Sequence, residues 1–251
     1  MITTISVALT AAFCSAAAVP SHESRVTNHD LPSHESRVTN HSFSIPDSRF
    51  SIPDSTYRAL YESGQTFADF VSKATARKEQ WEGNYAMKVA PDALVTRASV
   101  AGSGWKLLVV TVPGCSDSVN SVPYLASFLD KVPTIEMRLI NASIGKSIME
   151  AHRTPDGRAA TPTVILLDDQ FNERGCWIER PAVLIALMNS GTDFEGKMAW
   201  YDKDRGASSL EEIVAMIEAA AAGAKKCGNS GVDAASSVVT ALAPIAESRK
   251  V

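Results

Sequence analysis

The chain has 251 residues, of which 45% are hydrophobic and 21% are charged, and its formal net charge is −4. This composition excludes a wholly disordered chain, and the length suits one domain with extensions or two small domains. There is no basic block, so charge gives no reason to expect a nucleic-acid partner. After the N-terminus no run of 18 uncharged apolar residues occurs, which excludes a membrane-spanning helix in the body of the chain.

Residues 1–20 resemble a secretory signal peptide. An apolar stretch from Ile5 to Phe13 is followed by small residues up to Ala18, as at an A-x-A cleavage site. The Lys or Arg that normally precedes the apolar stretch is missing. Two locations therefore stay open from the sequence, the cytoplasm and export through a weak N-terminal signal.

Residues 21–54 form a low-complexity segment of tandem repeats. Ser-His-Glu-Ser-Arg-Val-Thr-Asn-His occurs at 21–29 and 33–41, and Phe-Ser-Ile-Pro-Asp-Ser occurs at 43–48 and 50–55. Four of the five histidines of the chain lie here, so a histidine metal tract is one interpretation. We favour a disordered spacer that binds no metal, because the units are few and polar and nothing fixes a ligand geometry.

The ordered domain is predicted to begin near Ser55. Apolar residues at helical spacing between Tyr57 and Val71, interrupted at Gly64, predict two short helices. A polar stretch anchored by Trp81 follows.

The central part of the chain begins with a buried strand. A continuous apolar, largely β-branched run at 107–112 is typical of a strand that is buried on both faces. Pro113-Gly114 ends the strand, and a helix is predicted from Cys115 to about Lys131, with Pro123 bending its axis.

The remainder alternates between strands and helices, which predicts an α/β fold with a mixed sheet. Ser209 and Glu212 have the spacing of a capping box at the start of the last helix, and His152 is predicted to end an earlier one. The predicted strands are 135–140, 163–167 and 174–178, and the predicted helices are 142–152, 181–188 and 209–226.

Cys115 is the chemically distinctive residue, because it lies where a buried strand meets the start of a helix. Unpaired backbone amides and the helix dipole favour a thiolate over a thiol at this place. Thr161-Pro162 precedes a later strand, and a cis proline there would bring backbone beside the sulfur. Cysteine chemistry at this junction requires that the sulfur be accessible and that Pro162 lie next to it.

These segments resemble the thioredoxin superfamily, and more closely a bacterial-type thioredoxin-like branch whose active segment reads T-x-x-W-C-G-D-A-x-x-x-V-P. The matching segment here is Thr-Val-Pro-Gly-Cys-Ser-Asp-Ser at 111–118, followed by Val-Pro at 122–123. The branch's G-R-S-I-P, W-G-P-R-P and W-Y-x-x-D segments are similar to 157–162, 177–181 and 200–204.

The resemblance covers about residues 55–220 and implies a thioredoxin fold, a mixed sheet flanked by helices. We place the thioredoxin-like domain with its N-terminal helices at 55–205, and a C-terminal helix and flexible tail at 206–251. The resemblance makes Cys115 the catalytic residue, and Gly114, Thr161 and Pro162 the residues that receive a substrate.

Four departures from the family pattern bear on function. Ser118 stands in the place of the second cysteine, and a hydroxyl cannot resolve a mixed disulfide. Gly114 replaces the usual tryptophan, which removes a flat apolar wall from the substrate groove. Val109 replaces a buried acid, so proton transfer lacks its usual acceptor. Asp117 favours the helix start but repels a thiolate beside it.

The other cysteines are predicted to have no catalytic role. The hairpin places Cys176 opposite Ile165, about 10 Å along the strand from Pro162, whereas a disulfide needs Cα atoms within about 7 Å. Cys176 is therefore predicted to be a small buried side chain and not the resolving cysteine, and Cys227 an exposed thiol. The same register puts Arg180 near Pro162, either as a charge that stabilises the thiolate or as a surface residue that caps the strand.

Two functions are consistent with these residues. In the first, a monothiol thiol–disulfide oxidoreductase, Cys115 forms mixed disulfides with protein or low-molecular-weight thiols and disulfides, supported by Ser118, Asp117 and Arg180. The partner lies strand-like against Thr161, and glutathione acts as a co-substrate that releases it. The second is a redox-inactive adaptor that binds protein. Neither needs a metal or cofactor, and the oligomeric state stays open.

Two other cysteine chemistries match the sequence less well. A peroxidatic cysteine would have a threonine in the place of Val112. The C-G-F-S motif of monothiol glutaredoxins differs from Cys115-Ser116-Asp117-Ser118, so an iron–sulfur cluster shared by two chains is disfavoured.

Overall fold

The computed structural model describes residues 52–227. The signal-like segment 1–20, nearly all of the repeat segment and the tail after Cys227 lie outside the described residues, so the predictions made for them stay predictions. Between residues 52 and 227, no helix has the length and apolar character needed to cross a membrane. The helices of this part are α1 (Asp54–Glu62), α2 (Phe67–Ser72), α3 (Lys78–Ala86), α4 (Asp92–Val100), α5 (Ser116–Val119), α6 (Val122–Leu129), α7 (Lys146–Ala151), α8 (Ala182–Asn189), α9 (Phe194–Asp204) and α10 (Ala207–Ala221).

The strands form one mixed sheet in the order β2-β1-β3-β4-β5. β1 is parallel to β2 and antiparallel to β3, β3 is antiparallel to β4, and β4 is parallel to β5. This is the α/β architecture that the alternation of apolar segments predicts. The strands are β1 (Trp105–Thr111), β2 (Ile135–Asn141), β3 (Thr163–Leu167), β4 (Glu173–Ile178) and β5 (Lys226–Cys227).

The central strand β1 is buried on both faces, as its apolar run predicts. Leu107 and Val109 point into a core shared with α3, α6 and α10, whereas Leu108 and Val110 point into a second core under α1 and α7. Alternating side chains of a strand face opposite sides of the sheet, so two covered faces require an unbroken apolar sequence.

The segment after Cys115 contains two helices and not the single bent helix that the sequence predicts. α5 ends at Val119 with Asn120 as its C-cap, and α6 starts after Ser121 with Pro123 in its first turn. A proline in the first turn lacks only an amide that would have no helical partner there. Asn84 compensates the break, because its Nδ2 donates to the carbonyl of Val119 at 2.8 Å.

The helix α3 occupies the polar stretch expected around Trp81 and Tyr85, and a further helix, α4, follows Pro91. In α3 only Trp81 and Asn84 are buried, so the segment lacks the apolar stripe by which amphipathic helices are recognised. α4 similarly buries only Leu94 and Ala98.

The predicted capping box at the last helix is wrong. α10 begins two residues earlier, after Gly206, which has φ +77°. The Glu212 carboxylate accepts hydrogen bonds from Trp177 Nε1 and from the amide of Ala182, both at 2.7 Å. Glu212 therefore connects α10 to β4 and α8, and the buried apolar residues of α10 belong to the same core as β1.

Gly175 gives a test of how closely α10 and β5 pack on β4. A Cβ at this position would lie 2.6 Å from the carbonyl oxygen of Lys226 and 2.7 Å from Met216 Cγ. We expect Gly175→Ala to lower the free energy of unfolding by about 1–3 kcal/mol, measured by urea denaturation. Gly83→Ala is the matched control, because its Cβ meets nothing within 4 Å, and it should raise stability by about 0.5–1 kcal/mol. Equal effects of the two changes would contradict the packing.

Candidate functional site

Cys115 lies at the junction that the sequence predicts, between the end of β1 and the start of α5. Its backbone is extended and its carbonyl accepts the first helical hydrogen bond, from Val119 at 3.1 Å. Two side chains of the α3 region hold the preceding turn: Trp81 Nε1 donates to the carbonyl of Pro113 at 3.0 Å, and Arg77 Nε donates to that of Gly114 at 3.1 Å.

The peptide bond between Thr161 and Pro162 is cis, as expected from its place before β3. Cys115 Sγ lies 3.2 Å from the carbonyl oxygen of Thr161. One of the two requirements for cysteine chemistry is therefore met, because the sulfur and the proline segment are neighbours. The other is not met in this conformation, because Cys115 is only 1% exposed and its sulfur is in a disulfide bond.

Ser118 occupies the place of a second cysteine and is fully buried. Its hydroxyl has no hydrogen-bond partner within the described chain. Gly114, by contrast, has room beside it as far as residues 52–227 are concerned, since an added Cβ would meet among them only Ala76 Cβ at 3.9 Å. The described residues around Gly114 therefore do not prevent a larger side chain, such as the tryptophan usual in the family, at this position.

Asp117 is the centre of a buried charge cluster that we name the Asp117 cluster, formed by Asp117, Lys197, Tyr201, Arg180 and Glu179. The Asp117 carboxylate is 3.2 Å from Lys197 Nζ and 3.1 Å from Arg180 Nη2, and it accepts a 2.7 Å hydrogen bond from the Tyr201 hydroxyl. All five residues are buried. The negative charge of Asp117 is therefore offset by two cations.

The electrostatics of the Asp117 cluster follow from its burial. Removal from water lowers the pKa of the Lys197 ammonium below its ordinary value, and the Asp117 charge opposes that shift. Burial, with Asp117 adding to it, raises the pKa of Tyr201 well above 10. Tyr201 consequently remains a hydrogen-bond donor to Asp117 over the whole physiological range.

Arg180 is oriented by carboxylates. Its Nη2 contacts Asp117, and also Glu179 Oε1 at 2.5 Å. Glu179 in turn binds Arg158 through both carboxylate oxygens, each at 3.0 Å, and its amide donates to the carbonyl of Pro162 at 2.7 Å. The hairpin register thus brings the Glu179–Arg180 segment next to Pro162, as predicted for Arg180. Arg180 is buried and not the surface residue of the alternative interpretation, and its direct role at the sulfur stays a prediction.

Cys176 and Cys227 differ in one respect from what the sequence predicts. Cys176 pairs with Ile165 across the hairpin, as the register predicts, and is buried. It forms a disulfide with Cys227, with Cα atoms 4.3 Å apart. The predicted burial of Cys176 and exposure of Cys227 are confirmed, but the prediction of a thiol at 227 is wrong. α10 ends at Ala221, five residues before the predicted end at Lys226, and β5 begins where the sequence predicts helix, so the sequence does not indicate this pairing.

Lys197 and Tyr201 are site residues to which the sequence assigns no role, although Tyr201 lies in the segment 200–204 that resembles W-Y-x-x-D. They lie four residues apart on α9 and so share one face of the helix. The i, i+4 spacing places Lys197 and Tyr201 on one helix face, but such a pair is equally typical of a surface exposed to solvent, so the spacing does not predict a buried cluster.

Comparisons with known proteins agree with this geometry. A family model described as thioredoxin matches residues 64–195, which is more than half of the chain. A crystal structure of a protein of unknown function from Pseudomonas aeruginosa is 25% identical with a TM-score of 0.52, covering 65% of this chain and 98% of that chain. An HIV epitope-scaffold protein is 23% identical with the same TM-score, covering 64% and 97% respectively, which bears on the fold alone. A search of curated proteins gives no match. Because the family match includes both the Cys115 junction and the cis peptide bond at Pro162, we conclude that the chain belongs to the thioredoxin family.

Proposed function

We propose that Cys115 forms mixed disulfides with protein or low-molecular-weight thiols and disulfides. The observation that carries this proposal is the 3.2 Å distance between Cys115 Sγ and the carbonyl oxygen of Thr161, next to the cis bond at Pro162. An extended partner segment that pairs with backbone at Thr161 would have its own sulfur close to Sγ. Gly114, which has no side chain and touches few of the described residues, would leave room for that segment.

Cys115 is disulfide-bonded in this structure, so the exchange begins from the reduced protein. The Cys115 thiolate attacks one sulfur of a partner disulfide, a new S–S bond forms, and the other partner sulfur leaves as a thiolate that takes a proton from water. Ser118 cannot attack the mixed disulfide. A second thiol, such as glutathione, attacks the partner sulfur of the mixed disulfide and returns Cys115 as a thiolate. No metal or cofactor takes part in these steps.

The charges around the junction favour this chemistry more than the sequence predicts. Lys197 and Arg180 offset the charge of Asp117, which reduces the repulsion that Asp117 exerts on a thiolate. The dipole contribution is smaller than predicted, because α5 has four residues and ends before α6 begins. The burial of Cys115 adds a requirement for local opening before a partner reaches the sulfur.

Alkylation kinetics test the proposal. In the reduced full-length chain, the rate of Cys115 modification by iodoacetamide, followed by peptide mass spectrometry, should change little between pH 7 and pH 9. It should rise in urea concentrations well below the unfolding midpoint. Cys115→Ser is the control that removes the modified peptide. A rate that rises tenfold per pH unit up to about pH 8.5, as for an ordinary thiol, would contradict the proposal.

The redox-inactive adaptor is the second candidate, and the burial of Cys115 together with Ser118 favours it. The two candidates differ in what the sulfur contributes to partner binding. Complexes isolated from cells with the full chain should disappear with Cys115→Ser and with dithiothreitol if Cys115 forms mixed disulfides. An adaptor would keep the same complexes under both conditions.

A further inference from the structure

A second group of reactive side chains lies at the sheet edge, away from Cys115. Cys176 of β4 and Cys227 of β5 are opposite each other in the parallel ladder, and His152 lies at the end of α7. The ligand atoms of these three residues all lie within 4.8 Å of one another. Nothing in the proposed function uses them.

The imidazole of His152 is oriented by two acceptors. Nδ1 is 2.9 Å from the carbonyl oxygen of Ile148, and Nε2 is 3.1 Å from Glu173 Oε1. Both partners are acceptors, so each ring nitrogen points at an acceptor here. Nε2, whose partner is the side chain of Glu173, is the nitrogen that can turn to a metal ion while Nδ1 stays bound to the carbonyl of Ile148. The side chains of His152 and Glu173 are 9% and 14% exposed, so the ring is held in a largely dry environment.

We propose that reduction of the Cys176–Cys227 disulfide converts this cluster into a Zn²⁺ site formed by Cys176 Sγ, Cys227 Sγ and His152 Nε2. Glu173 Oε1 is 3.1 Å from His152 Nε2 and would supply the fourth ligand after a movement toward the sulfurs, while Tyr57 donates to Oε2. Two thiolates, one imidazole and one carboxylate are ligands that Zn²⁺ accepts in tetrahedral sites. The disulfide and the metal use the same two sulfurs and therefore exclude each other.

The conversion balances as two steps. A dithiol reductant breaks the S–S bond, is itself oxidised to a disulfide, and leaves Cys176 and Cys227 as thiols. Binding of Zn²⁺ then releases both thiol protons to water, together with the Nε2 proton where the ring carries one. No further oxidant or reductant is needed.

The geometry requires only short movements. The two sulfurs of a tetrahedral zinc site lie about 3.8 Å apart, which follows from Zn–S bonds of about 2.3 Å. Breaking the disulfide allows this separation by side-chain rotation. Lys225 Nζ, now 2.8 Å from Glu173 Oε1, is half exposed and can move into water. β5 therefore stays attached to β4 in both states, by a covalent bond in one and by the metal in the other.

Cobalt substitution tests the site directly. The full-length protein is reduced with dithiothreitol, the reductant is removed without oxygen, and Co²⁺ is added. We expect one bound Co²⁺ per chain, a thiolate-to-cobalt charge-transfer band and the visible bands of tetrahedral cobalt, all bleached by Zn²⁺. The oxidised protein should show none of these.

Matched variants assign the ligands. Cys227→Ser should lose the charge-transfer band or at least half of its intensity, and His152→Gln should weaken Co²⁺ binding at least tenfold. Gln keeps polar contacts with Ile148 and Glu173, and circular dichroism checks that each variant is folded. Cys115→Ser should retain the full spectrum. The proposal is overturned if reduced protein binds no Co²⁺, or if Cys227→Ser keeps the wild-type spectrum.

Discussion

Asp117→Asn is expected to lower the free energy of unfolding by about 3–5 kcal/mol, the usual cost of removing one partner of a buried ion pair. The substitution leaves the ammonium of Lys197 buried without its counter-charge, and Lys197 is only 4% exposed. Arg180 keeps Glu179 as a partner, so most of the loss comes from Lys197. Urea denaturation of the full-length chain measures the effect.

Asp130→Asn is the matched control for this change. Its ion pair with Lys88 is about half exposed on both sides, so it should contribute less than about 1 kcal/mol. Combining Asp117→Asn with Lys197→Met removes the unpaired charge, and the double variant should be more stable than the single one. If Asp117→Asn costs no more than Asp130→Asn, the Asp117 cluster is not the stabilising unit that its burial indicates.

The Asp117 cluster also shows which kind of contact a single sequence does not reveal. Asp117 is readily interpreted as an acid in the first turn of a helix, which is a local inference. Its partners Arg180, Lys197 and Tyr201 are more than 60 positions away, and only the folded topology brings them together. Pairwise contacts at such separations leave no periodic signal in a single sequence.

Local signals were sufficient for the core of the fold. The run that forms β1 and the hairpin of β3 and β4 are identified from apolar patterning, and the pairing of Cys176 with Ile165 follows from counting along the hairpin. The cis bond at Pro162 was expected from its place before β3. These features are determined by interactions between residues that are close together in the sequence, within one strand or one turn.

The errors have a common physical cause. α3 was not predicted because a polar helix can be fixed by one large buried side chain, Trp81, whose Nε1 binds backbone beside Cys115. The capping box at Glu212 was wrong because Trp177 and Ala182 use that carboxylate. In each case a tertiary contact replaced the local interaction that the sequence pattern favours.

The disulfide at the sheet edge is the second large contribution to stability. Cys227→Ala is expected to lower the free energy of unfolding by about 4 kcal/mol, the chain-entropy value for a loop of this size, because the bond joins residues 51 positions apart. The loop contains α8, α9 and α10, and therefore both Lys197 and Tyr201. Without the bond the unfolded chain gains freedom, and the two-residue strand β5 has few other contacts that hold it.

Additivity distinguishes the covalent link from packing. The variant with both Cys176 and Cys227 changed to Ala should lose only slightly more stability than Cys227→Ala, because the bond is removed once and only the packing of the buried Cys176 sulfur is added. Lys225→Ala, on the same segment, removes a half-exposed ion pair with Glu173 and should cost less than about 1 kcal/mol. Urea denaturation of all four proteins under non-reducing conditions measures these values. A Cys227→Ala protein as stable as Lys225→Ala would mean that α10 is held on the sheet by its apolar core contacts alone.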